Sequence, residues 1–317
     1  MVNSVIRLLL CGILAVGVCA CSTRNIMVNG VADIVATGIT AFEQDDDLDM
    51  LEKAFPANIK LLEALSANDP DNHRILVMLS RFYASYAFAF FEGKLEAAAL
   101  DGSISDMEKS GARQQNSRLL RKTVNRYYSK GADYALRALE ARHPECRKQL
   151  QKVTTCDDCF DSLTIEDVPA LFWYGFNLGA YVHQNIDSVK TLSKAHLAEK
   201  AMLRVVDLDP DYFHGGAHLV LLIYYAARSP MMGGNLKLAL SHYHQLKALA
   251  GDDFLLADLY YARYCLYQKQ ERKKYRDVLT GIIKYSGTDK THLFLNKIAS
   301  IRAQTYLDAT DRLFAPY

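Results

Sequence analysis

The sequence predicts an all-α fold: degenerate helical hairpins stacked into a compact solenoid or bundle, with flanking N- and C-terminal helices. Three observations lead there. Nearly every long segment repeats apolar residues at spacings of three and four, the period of a helix with one buried stripe. No alternating run of β-branched residues, bounded by turns, interrupts them. Four segments also share one phase relative to a Pro or Gly that ends them, which is the pattern of a repeated unit.

Residues 1–20 are set apart first. Arg7 precedes an uncharged apolar run from Leu8 to Ala20 that stops at Cys21, the layout of an export signal. The run is shorter than the roughly 20 residues that span a bilayer as a helix. Val18, Cys19 and the small Ala20 resemble the lipobox of bacterial lipoproteins, which implies cleavage before Cys21 and a lipid on that cysteine. On this reading residues 1–20 are signal peptide, 21–29 a lipid-anchored linker and 30–317 a single helical domain. "DDDLD" at 45–49 begins like a calcium loop, but Met50 and Pro56 stand where such a loop needs Gly and Glu. It reads instead as a helix N-cap whose negative charge suits the helix dipole.

Phe55, Ile59, Leu62 and Leu65 form the first apolar row. Ala195, Ala198, Met202 and Val205 form another, and Leu236, Tyr243, Leu246 and Leu249 a third. The shared phase runs Asn58, Leu62, Leu65, Pro70, then Ala132, Leu136, Leu139, Pro144, then Ala198, Met202, Val205, Pro210, and finally Ala239, Tyr243, Leu246, Gly251. This is the spacing that ends the second helix of a tetratricopeptide unit. A hairpin of that kind buries only half its apolar surface alone, so hairpins must stack. "NDPDN" and "DLDPDY" then serve as turns, with Pro stopping one helix and Asp or Asn starting the next. First helices are expected over Arg74–Phe91, Ala170–Gln184, Gly216–Arg228 and Phe254–Lys269. Insertions are expected at 94–116 and in a Cys-bearing loop at 145–167.

Composition excludes several functions. With 37 basic and 36 acidic side chains the formal charge is +1, so the basic footprint of a nucleic-acid binder is missing. No phosphate-cradling G-x-x-x-x-G-K-[ST] and no G-x-S-x-G elbow occurs. His214 and His218 have the spacing of a zinc helix, yet Gly215 replaces the catalytic Glu. No metal, no cofactor and no enzymatic activity are therefore expected. Beyond the signal and Cys21, four cysteines remain. A disulfide among Cys146, Cys156 and Cys159 is expected outside the cytoplasm, with Cys265 an ordinary buried thiol.

"LEKAFPANIKLLEALSANDPDN" (51–72), "ILVMLSRFYASYAFAFFEG" (75–93), "LFWYGFNLGAYV" (171–182) and "SPMMGGNLKLALSHYHQ" (229–245) together resemble the TatT family, the exported, lipid-anchored tetratricopeptide T-components associated with TRAP transporters in bacteria. The similarity extends from about residue 30 to "LNKIASIRAQTYLDATDRLF" near the C-terminus. It implies a periplasmic lipoprotein that binds the transporter's solute-binding protein, assembles as a homo-oligomer, with a trimer the expected form, and has an apolar cavity for a hydrophobic or organic-acid solute. An alternative is a scaffold that grips peptide segments during envelope assembly.

In "RSPMMGGN", Pro230 must end the upstream helix, and Gly233 and Gly234 offer the positive φ of a tight reversal. Met231 and Met232 offer soft apolar surface to a ligand or partner. Among 19 Tyr, 13 Phe and one Trp, the rings of Phe172, Trp173, Tyr174, Tyr181, Tyr224 and Tyr225 are the candidates for a cavity wall. Three adjacent rings at 172–174 cannot all enter one helix interface.

Overall fold

The computed structural model describes residues 29–100, 111–152, 156–287 and 290–314. These residues are mostly helical and contain no strand. The signal and Cys21 lie outside them.

A helix over 29–43 (α1) leads to α2 (Leu48–Asn68). Asp47 caps α2 by accepting from Met50 N, as "DDDLD" predicts. Asn72, in the "NDPDN" turn, caps α3 (His73–Ala87) through Ile75 N. This helix continues through a π turn (Phe88–Glu92) into α4 (Gly93–Leu100). It is long and apolar enough to cross a membrane, but much of it is buried against α2, α5 and α8.

Two segments expected to be insertions or loop are folded instead. The insertion expected at 94–116 is helical at both described ends, because α4 opens it and α5 (Gly111–Arg142) closes it. In α5 the small buried positions are Gly131, Ala135 and Ala138, while Ala132 is only half-buried. The Cys-bearing loop is likewise folded, as α6 (Cys146–Leu150), α7 (Cys156–Ser162) and a 3-10 turn (Ile165–Asp167). The Cys146–Cys159 disulfide joins α6 to α7 across 5.0 Å between Cα atoms. Cys156 lies outside that bridge, near Lys200 (Nζ to Sγ 3.8 Å). Burial pushes the Cys265 thiol up to about 11, the inert character expected of it.

The remaining helices are α8 (Val168–His183), a short α9 (Val189–Leu192), α10 (Ala195–Leu208), α11 (Tyr212–Ala226), a 3-10 turn (Pro230–Met232), α12 (Leu236–Ala250) and α13 (Leu255–Tyr260), with α8 and α11 close to the expected first helices. α13 runs into a second π turn (Tyr261–Leu266), followed by α14 (Arg272–Lys284), α15 (Leu293–Asp308) and α16 (Thr310–Leu313). The first turn of α11 departs from a regular helix, since Phe213, His214 and Gly215 all have positive φ. Regular geometry begins at Gly216, where the first helix was expected. In α12 the apolar row is narrower than predicted: Ala239 and Leu246 are buried, while Leu249 is exposed.

Packing follows chain order: α3 lies on α5, α5 on α8, α8 on α10, α10 on α11 and α11 on α12. Close approach is set by small side chains. At Gly131 of α5, an added Cβ would stand 2.2 Å from Asn177 Oδ1. Asn177 in turn donates to Ser80 Oγ at 3.1 Å and to the Trp173 carbonyl at 2.8 Å, tying α8 to α3.

The last long helix returns to the first half of the chain. Arg302 of α15, buried, donates to the Phe88 carbonyl (2.5 Å) and the Tyr260 hydroxyl (2.7 Å), and pairs with Glu92 at 3.4 Å and Glu96 at 3.7 Å. Its guanidinium also lies 4.3 Å from the centre of the Phe88 ring. Burial pushes the Glu92 carboxyl up and Arg302 pulls it back. Removing one member of a buried charge pair strands the other. Arg302→Met is expected to lower the unfolding free energy by about 3–5 kcal/mol in urea titration, and adding Glu92→Gln should restore part of that loss.

Candidate functional site

A cavity of about 200 Å³ lies where the predicted first helices face one another. Its walls are mostly apolar and carry many rings, among them Phe88 of the first π turn, Phe172, Trp173 and Phe176 of α8, Tyr224 of α11 and Tyr260 of α13. Phe172 and Trp173 meet edge-on at 4.9 Å, and Trp173 meets Phe213 at the same distance. The positive φ of residues 213–215 turns that segment so that Phe213 lies against the α8 rings. α15 contributes Phe294 and Leu295. A smaller cavity of about 40 Å³, bounded partly by Ile39 and Phe42 of α1, shares Ser85, Phe213, Phe294 and Leu295 with the first.

The polar groups of the lining lie in two regions. At the inner end Glu92 accepts a short hydrogen bond from the Tyr128 hydroxyl and faces Arg302. Toward solvent, Ile186, Ser229 and Met232 are exposed and line the same void, so the mouth opens between the ends of α8 and α11. Arg228 and Glu199 also line it. His183 shares its Nε2 with the Tyr264 hydroxyl at 3.3 Å, and burial lowers the imidazole pKa. Burial therefore favours the uncharged ring.

Of the residues singled out from the sequence, Phe172, Trp173, Tyr224 and Met232 line the cavity. The others stand elsewhere. Tyr174 is buried on another face of α8, within electrostatic reach of Arg147 and Cys156. Tyr181 packs on the small cluster of Leu95, Val124 and Tyr128. Tyr225 donates to Glu199 at 2.6 Å and stacks on His242. Met231 is 99% exposed outside the lining. Helical rotation explains this division, because neighbours in sequence sit about 100° apart on a helix. His214 and His218 do not converge on a metal: His218 Nδ1 is 2.9 Å from His242 Nδ1, while His214 packs against His292. Among the described residues no group of three metal-ligating side chains forms.

The turn at the mouth works differently from expectation at one position. Gly233 has φ +86°, but Gly234 is not in the positive-φ region. A Cβ on Gly234 would stand 1.9 Å from the Arg228 carbonyl oxygen, so the residue is fixed by backbone approach. The Gly234 amide donates to Ser229 O and the Asn235 amide to Tyr225 O, both at 2.9 Å, folding the turn back on α11. Asn235 then caps α12 through Lys237 N and Leu238 N. Sequence reasoning passes over Glu92, Arg228 and Arg302. Arg228 is marked only by standing at the head of "RSPMMGG".

The model of the TRAP transporter T-component family matches residues 44–314. A protein of Treponema pallidum described as uncharacterized is 27% identical over 214 residues, which cover 65% of this chain and 61% of that protein. The match thus spans less than two thirds of the relative's length.

Gly233→Ala is expected to destabilise the protein by about 1–2 kcal/mol, the cost of the left-handed region for an L side chain. Gly234→Ala should cost more, since only opening the turn relieves a backbone clash. Urea midpoints of the two variants compare the effects, and equal midpoints would contradict the packing argument.

Proposed function

The chain belongs to the TRAP transporter T-component family, and from that premise we propose that it is a lipid-anchored periplasmic adaptor for solute uptake, binding the transporter's solute-binding protein and holding a hydrophobic or organic-acid solute in its central cavity. The family is one of transport components rather than enzymes. The observation that carries the solute part is the cavity: about 200 Å³, walled by aromatic rings and reached through a mouth with exposed apolar rims. Binding sites for small apolar molecules have this form, with few polar groups among many hydrophobic ones.

The proposal extends to architecture. Consecutive helices pack as α3 with α5, α8 with α10, α11 with α12 and α13 with α14, which supports reading the domain as degenerate tetratricopeptide-like hairpins. Their first members line the cavity, as the inner helices of such an array would. A lipid on Cys21 would tether the protein to a membrane, and Met231 at the rim is available to a partner. Assembly as a trimer belongs to the same reading and rests on the family resemblance.

The partnership is tested by sedimentation velocity of the full chain mixed with the solute-binding protein of its own transporter. A faster boundary containing both proteins is expected. Two independent boundaries at high micromolar concentration would contradict the adaptor role.

A further inference from the structure

At the cavity mouth a cation is held without a carboxylate of its own. Arg228 donates from Nη1 to the Tyr224 carbonyl at 3.2 Å, and its guanidinium carbon lies 3.6 Å from the centre of the Tyr224 ring. No ion pair to Arg228 forms among the described residues. The acids that share the lining are engaged elsewhere: Glu199 accepts the Tyr225 hydroxyl at 2.6 Å, and Glu92 faces Arg302 and Tyr128. Arg228 therefore keeps most of its five N–H donors at the boundary between water and an apolar void. Burial lowers its pKa, while Tyr224 and Glu199 counter the shift. A partly desolvated cation gains from an incoming anion more than an exposed one does.

The surroundings define that anion. Gln184 and Ser229 stand on the same lining and add hydrogen-bonding groups. On the same lining Val220, Ile223 and Phe176 add apolar surface, which suits a hydrocarbon tail. A planar carboxylate can take two parallel N–H bonds from a guanidinium. A dianionic head is disfavoured, because Glu199 shares the lining with Arg228 and would repel the second charge.

We infer that the cavity takes a monoanionic amphiphile, a long-chain carboxylate, with its head on Arg228 and its tail along Phe176 and Phe172. This assignment rests on the reading of the cavity as a solute site. It names the ligand class and orientation that the general reading leaves open.

The test is displacement of the neutral fluorophore 1-aminoanthracene from the delipidated full chain by dodecanoate and by dodecanol. Dodecanoate is expected to bind about tenfold more tightly than dodecanol, a difference of one charge-assisted contact. Arg228→Gln should abolish that preference, chiefly by weakening dodecanoate binding. Equal binding of the two by the unsubstituted chain, or a preference that survives Arg228→Gln, overturns the assignment while leaving an apolar cavity standing. Failure of both ligands to displace the fluorophore overturns the solute-site reading and the assignment with it. If Arg228→Gln does not fold, Glu199→Gln decides. Loss of the neighbouring negative charge must raise dodecanoate affinity several-fold relative to dodecanol, and an unchanged ratio rejects the inference.

Discussion

The Arg302 guanidinium is the contact on which the arrangement of helices depends. A row of helices stacked in chain order has two ends, and nothing in the stacking itself brings the ends together. Here α15 returns to the first π turn, and Arg302 engages Phe88, Glu92 and Tyr260 at once. A buried cation is tolerated only where its partners are fully assembled, so the closed arrangement is favoured over one in which α15 lies loosely on the outside. A π turn widens a helix locally and often marks a functional position. Both π turns border the Arg302 cluster, one through Phe88 and Glu92 and the other immediately after Tyr260.

Closure also explains why the interior is not filled. The side chains that wall the void include large rings carried on several different helices, which pair at edge-on or offset angles rather than face to face. Phe172, Trp173 and Phe213 meet at edge-to-face or tilted angles that leave space beyond their faces. Arg228 and Met232 then border one end of that space, because Gly234 allows the turn to fold directly onto the Arg228 carbonyl. The sharp break at "SPMMGG" thus has two consequences: it starts α12, and it shapes the mouth.

Much of the helical framework was legible in the sequence, and the failures have identifiable causes. Phe55, Ile59 and Leu62 repeat at the period of a buried stripe and are buried. The first half of α5 carries "RQQNSR", with no apolar period to detect, and so read as an insertion. α6 and α7 are too short for periodicity to register, and the Cys146–Cys159 bridge fixes them by a covalent constraint whose pairing the sequence left open. The partition of the aromatic residues was only half legible, because Trp173 and Tyr174 are adjacent in sequence but face different neighbours on the helix. Least visible was the central cluster. Glu92 and Arg302 stand 210 residues apart and each resembles a solvated charge on a helix surface.

Native-state hydrogen exchange, read at residue level, tests the closure most directly. Amides that open only on global unfolding exchange together and slowest. The account predicts that those around Arg302 in α15 and those of the Phe88–Glu92 turn share that slowest class and respond in parallel to added denaturant. Rapid exchange of α15 through its own local opening, with the Phe88–Glu92 turn still fully protected, would contradict it.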